Sequence, residues 1–168
     1  MSKVDVIERE MEYTLEIKTE SVTFMMPMVF GKAYKTIGEY MENKKIECVS
    51  APFVRYINVN WEEVNKMSKF MMFLKMFTYK WNMLIGFPLN EKAEGEGEIT
   101  SGVIPKGKYL KAMHKGPYKK VGETYALLTE YIIENNIKIK NESMEIYTND
   151  PRTTNKEDLE TIVLIPFA

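Results

Sequence analysis

Gly31-Lys32-Ala33-Tyr34-Lys35-Thr36-Ile37-Gly38-Glu39 is answered further along the chain by Gly116-Pro117-Tyr118-Lys119-Lys120-Val121-Gly122-Glu123. The two tyrosines are 118 − 34 = 84 positions apart, half of the 168 residues. The match predicts a duplicated chain whose similar halves face each other. A groove between two such halves is a natural place for a small ligand.

Working outward from the repeat, hydrophobic spacing predicts the elements. Residues 12–19 alternate, with Tyr13, Leu15 and Ile17 on one face, as in a half-buried strand. Pro27 then precedes a helix to about Asn43, with a stripe of Phe30, Tyr34, Ile37 and Met41. Residues 52–59 and 81–88 read as strands, the latter ending at Pro88. Between them, Phe70, Phe73, Leu74 and Phe77 suggest an inserted helix from about Lys66 to Met76. Glu91 to Thr100 is rich in Gly and Glu and reads as a mobile loop joining the halves.

The second half repeats the order. Lys108–His114 is a strand, and Gly116-Pro117 opens a helix striped by Tyr118, Val121, Tyr125, Leu128 and Ile132 to about Asn136. Ser143–Tyr147 is a strand, Asn149-Asp150-Pro151 a turn, and Thr161–Pro166 the last strand. Each half is thus strand, helix, strand, strand. The prediction is one α+β domain over 1–168, with half 1 at about 4–90 and half 2 at about 101–168. Its sheet would have six mostly antiparallel strands, helices on one face and a ligand cleft between the halves.

Composition narrows the function. Lys plus Arg is 23 and Asp plus Glu is 24, a formal charge of −1, so no basic stripe points to direct nucleic-acid binding. No apolar run approaches a membrane span, no signal-peptide core follows Met1, and Cys48 is the lone cysteine. These features together suggest the cytoplasm. Thirteen Met and twenty aromatic residues (eight Phe, ten Tyr, two Trp) suit either adaptable core filling or a soft pocket that repacks around different guests.

The halves differ at one chemically telling place. Aligning Tyr56 with Tyr147 sets Val54 against Glu145. Residues two apart on a strand share a face, so Glu145 lies beside Tyr147 on a strand expected to be central. A buried carboxylate needs a partner. That partner is either structural (a Lys, an Arg or a Tyr hydroxyl) or an exogenous cation. Tyr13, Tyr34, Tyr56, Tyr118, Tyr147 and Trp81 map near the ends of the duplicated elements. Aromatic faces attract cations, by about 0.5–2 kcal/mol per contact. Other chemistry finds little support. His114 is the only histidine, so no zinc set is expected and His114 reads as a satisfied structural residue. No phosphate-binding glycine loop or nucleophile elbow is present. Asp5-Val6-Ile7-Glu8 and Lys119-Lys120 read as ordinary solvated charges.

His114-Lys115-Gly116-Pro117-Tyr118, Met144-Glu145-Ile146-Tyr147, Asn149-Asp150-Pro151 and Ile165-Pro166 together resemble the GyrI-like small-molecule-binding family. That family includes the effector-binding domains of multidrug-sensing regulators such as BmrR and Rob. The likeness covers nearly the whole chain and is strongest from Val103 to Phe167. It implies a duplicated βαββ fold, with Glu145 corresponding to the acidic residue that meets lipophilic cations. Tyr147, Tyr56 and Tyr118 would be pocket wall, joined by Tyr34 and Trp81.

The expected function is therefore a stand-alone binder of bulky lipophilic, often cationic small molecules, without a cofactor and without a helix-turn-helix. Two alternatives follow from the resemblance. One is hydrolysis of cyclopropane-bearing molecules with Glu145 as general base. The other is protein binding of the gyrase-inhibitor type. The related SOUL proteins bind haem, but His114 sits in the Gly-Pro-Tyr junction, which argues against that cofactor here.

Overall fold

The computed structural model of the chain describes residues 3–168. Its strands are β1 (Asp5–Arg9), β2 (Glu12–Val22), β3 (Phe53–Ile57), β4 (Lys80–Leu89), β5 (Ile99–Ile104), β6 (Gly107–Lys115), β7 (Glu142–Tyr147) and β8 (Glu160–Phe167). Its helices are α1 (Met26–Lys44), α2 (Trp61–Lys66), α3 (Lys69–Lys75) and α4 (Val121–Glu134). Short 3-10 turns at Thr23–Met25 and Tyr118–Lys120 lead into α1 and α4.

These strands join one antiparallel sheet in the order β1-β6-β8-β7-β3-β4-β2-β5. Among the described residues the sheet has eight strands, not the six expected. Each half is ββαββ, with a first strand that its sequence pattern does not reveal. Asp5–Glu8, read as solvated charges, lies in β1, and Ile99 and Thr100, assigned to a loop, begin β5. Both hide from periodicity because edge strands are short and half wet.

The first strand of each half does not pair with its own half. β1 pairs with β6, and β5 pairs with β2. This exchange dictates the sheet's shape. β1 and β2 are six strand steps apart, about 29 Å across a flat sheet at roughly 4.8 Å per step. Only Glu10 and Met11 connect them, and three Cα–Cα steps reach at most about 11 Å. Pro105 and Lys106 impose the same limit on β5 and β6. The sheet must curl far enough to bring β1 near β2 and β5 near β6, forming a half-barrel. Phe53, Ile104, Tyr109, Met144 and Leu164 fill its interior, with Ile7 of β1 packed against them. Arg55 reaches across that interior, donating to the Val103 carbonyl on β5 at 2.9 Å and pairing with Glu142 at 2.9 Å.

The outer face carries the helices. Ile37 and Met41 of α1 bury against Leu15, Ile17, Val54, Met83 and Ile85, and Leu128 of α4 packs against Leu110, Ala112, Val163 and Ile165. Each fully buried aliphatic side chain contributes about 1.5–3 kcal/mol.

The duplication is real, but its offset is not 84. The turns before the two helices start at Thr23 and Tyr118, and 118 − 23 = 95. The same shift carries Met26 onto Val121, and 5–9 onto 100–104. Registers bear out the relation further on. Thr14 pairs with Pro88 as Tyr109 pairs with Pro166, and Val54 pairs with Ile85 as Glu145 pairs with Val163. The sequence match is thus out of step by 95 − 84 = 11 residues. Eleven residues are about three helical turns, so the slip preserves the helix face while shifting the residues along it.

The insert between β3 and β4 is two short helices where one from Lys66 to Met76 was expected. Met67 is extended, and Ser68 starts a new helix by accepting from the Met71 N–H at 3.2 Å.

Gly86 is required where β4 passes β2. A Cβ there would lie 2.3 Å from the Leu15 carbonyl oxygen, a backbone atom that cannot swing aside. Gly86→Ala is expected to destabilise the fold by about 1–3 kcal/mol. Chemical denaturation showing no loss would refute this close approach.

Candidate functional site

β3 and β7 lie side by side at the centre of the sheet, where the two halves meet. Val54 and Glu145 are cross-strand partners there and are also equivalent positions of the duplication. Glu145 therefore sits beside the pseudo-two-fold axis, on the outer face, between α1 and α4. It is 6% exposed.

Two tyrosine hydroxyls hold its carboxylate. Tyr125 of α4 donates to Oε1 at 2.9 Å and Tyr147 of β7 donates to Oε2 at 2.8 Å. The Tyr125 hydroxyl also lies 3.1 Å from Ser143 Oγ. With its single hydrogen given to the carboxylate, it accepts there. Among the described residues no Lys or Arg forms an ion pair with Glu145. Arg55, the buried cation on the neighbouring strand, is directed to the opposite face and engaged by Glu142. Of the partners considered from sequence, the tyrosine hydroxyl is the one found.

Aromatic rings surround this group. Tyr147 packs against Phe30 (6.3 Å between centroids) and edge-on against Tyr118 (5.3 Å). Trp61, the first residue of α2, packs on Tyr125 at 6.1 Å and anchors its indole N–H on the Lys140 carbonyl at 3.0 Å. The insert thereby reaches from half 1 onto half 2. Tyr56 stands edge-on to Trp81 at 5.7 Å.

The expected site residues are unequally placed. Glu145, Tyr147, Tyr56 and Tyr118 converge, although Tyr118 is 37% exposed and forms the rim. Tyr34 packs nearby, but its hydroxyl donates to the Phe53 carbonyl at 3.0 Å, so it presents its ring. Trp81 lies behind Tyr56, with its N–H on Thr23 Oγ1 at 3.1 Å. In the sequence, Tyr125 and Phe30 read only as core stripe, and Trp61 only as the edge of the insert. A signal for Tyr125 exists: the corrected offset makes it the equivalent of Phe30, with one added hydroxyl beside the carboxylate. His114 is buried and satisfied, as expected. Its Nε2 lies 3.1 Å from the Pro117 carbonyl, which can only accept, so Nε2 carries a hydrogen there, and Nδ1 lies 3.0 Å from Thr124 Oγ1. This fixes the turn that carries Tyr118.

Burial pushes the Glu145 carboxyl above its usual 4.5, while the hydrogen bonds from Tyr147 and Tyr125, and then the proximity of His114, pull it back. Burial, and secondly the charge of Glu145, push Tyr34, Tyr56, Tyr125 and Tyr147 well above 10. The phenols are therefore neutral donors at physiological pH, and the carboxylate is a site where a negative charge is held at a cost. A cation placed here would remove that cost.

A carboxyl raised on folding makes the folded state bind more protons than the unfolded one. Its contribution is therefore lost as pH rises from near 4.5 through the raised value. Glu145→Gln removes the titration. Urea denaturation at pH 4.5 and 7.5 is expected to show the stability of the variant, relative to wild type, increasing with pH. A difference independent of pH would contradict the buried charge.

Comparisons with known proteins agree with this architecture. The GyrI-like small molecule binding domain matches residues 73–168. No curated protein matches the sequence. Among solved structures, the EcmrR C-terminal domain is similar with a TM-score of 0.79 at 17% identity, covering 100% of this chain and 98% of that one. In the EcmrR–DNA complex the likeness (TM-score 0.77, 17% identity) covers 98% of this chain but 57% of EcmrR. SAV2435 bound to tetraphenylphosphonium is similar at 0.67 and 11% identity, covering 99% and 94%. A hydrolase encoded by lin2189 from Listeria innocua is similar at 0.64 and 13% identity, covering 99% and 92%. With the family match spanning more than half of its length, the chain belongs to the GyrI-like small molecule binding domains.

Proposed function

We propose that this domain binds bulky, lipophilic, cationic small molecules between α1 and α4, with Glu145 as counter-ion. The observation that carries the reading is a buried carboxylate with two phenol donors, aromatic rings around it and, among the described residues, no basic partner. An organic cation has weakly held hydration and would meet both the carboxylate and the ring faces of Tyr147, Tyr118, Tyr56 and Phe30. The tetraphenylphosphonium carried by SAV2435 is a molecule of this class. Such binding suits a sensor or a sequestering protein.

Entry requires movement, because Glu145 is covered. Trp61, packed on Tyr125, and Tyr118, packed on Tyr147, adjoin exposed segments: α2 and α3 contain no buried residue, and Tyr118 stands on the rim.

Isothermal titration with tetraphenylphosphonium tests the reading. Saturable binding is expected, weakened at least about tenfold by Glu145→Gln, since one lost charge contact of about 1.4 kcal/mol corresponds to that factor. Affinity is also expected to fall as pH drops through the raised carboxyl range, by up to about tenfold per pH unit, because protonation discharges the counter-ion. No binding, or binding indifferent to both the substitution and pH, would remove Glu145 from the role.

A second reading, hydrolysis of strained-ring electrophiles with Glu145 as general base, is favoured by the upward shift of its carboxyl. It expects mass-spectrometric loss of cyclopropane-bearing substrates, abolished by Glu145→Gln. Intact substrate after prolonged incubation would eliminate it.

A further inference from the structure

The pseudo-two-fold axis passes between Val54 and Glu145, so each wall of the site can be compared with its own image. The α4 side carries the polar atoms: Glu145, with Tyr125 and Tyr147 hydrogen-bonded to it. Their images on the α1 side are Val54, Phe30 and Tyr56. Val54 and Phe30 have no polar side-chain atom. The Tyr56 hydroxyl lies 4.0 Å from Met26 Sδ and close to Tyr147, and it brings no charge of its own. Tyr34, also on α1, spends its hydroxyl on the Phe53 carbonyl. The other buried carboxylate, Glu16, alternates with Leu15 and Ile17 and so faces the interior of the half-barrel. Symmetric in backbone, the site is one-sided in charge.

We propose that the site selects amphiphilic cations with a single positive charge, the charged end seated on the α4 side and the apolar body extending along the α1 side. This rests on the cation-binding reading given above. A second positive charge, carried at the far end of the molecule, would lie against Phe30 and the ring of Tyr34, where ring faces but no second anion would meet it. Burying an unpaired charge is costly enough to outweigh the favourable burial of apolar surface there.

A matched pair of ligands isolates the effect. 1-Benzyl-4-phenylpyridinium carries one charge, and 1-benzyl-1′-methyl-4,4′-bipyridinium keeps nearly the same shape with two. Titration of both into the wild-type protein is expected to show the monocation bound at least about tenfold more tightly. Val54→Glu places a second carboxylate at the image of Glu145 and is expected to cancel or invert that preference. If this variant does not fold, as judged by circular dichroism, the wild-type ratio decides alone. Equal or tighter binding of the dication, with monocation binding still dependent on Glu145, overturns the single-charge inference and leaves the cation site standing. Failure of tetraphenylphosphonium and of both pyridinium ligands to bind overturns the site itself.

Discussion

The exchange of first strands is the constraint on which the rest depends. β1 is tethered to β2 by two residues yet pairs with β6, and β5 repeats the arrangement in reverse. A flat sheet cannot satisfy both tethers, because the required span exceeds the reach of the chain nearly threefold. Curling satisfies both. It encloses one core inside the half-barrel and leaves the outer face of β3 and β7 as the line along which the halves meet. Neither half can form its complete sheet without the other, so the junction is part of the fold and not a loose contact between two modules.

That junction explains why a costly group is found there. A carboxylate under two helices has lost most of its hydration, and its tyrosine donors replace only part of it. Val54 shows that the fold at the equivalent position works with an aliphatic side chain. The backbone of this junction therefore does not itself impose a carboxylate, and at Glu145 the charge is matched by the phenols of Tyr125 and Tyr147. His114 serves the same wall indirectly, by tying the turn before α4 to its first helical turn.

The insert adds a third layer to the site. α2 and α3 are capped locally by Asn60 and Ser68 and held to each other by the Glu63–Lys75 pair. Their anchorage to the body runs through Trp61 and through the packing of Phe24 on Phe77 (5.4 Å). Phe70, Met72 and Phe73 stay exposed. No helix of the described residues is long and apolar enough to cross a membrane.

Local pattern alone determined the six inner strands, both long helices, the fact of duplication and the oddity of a single carboxylate opposite a valine. These are short-range matters: alternation, helical spacing, and proline or glycine at element ends. Glu145, Tyr147, Tyr56 and Tyr118 were legible as a group because position on a strand or at a helix start suffices to place them. β1 and β5 were not, since short strands with a wet face carry little periodic signal and their partners lie in the other half. The true offset was hidden too, because a slip of three helical turns leaves the apolar face unchanged. Only the tertiary structure decided that Tyr125 donates to Glu145 while Phe30, its image, cannot, and that Trp61 crosses from one half to the other. Those contacts join residues distant in sequence, and they exist only because the sheet closes far enough to bring both helices over one pair of strands.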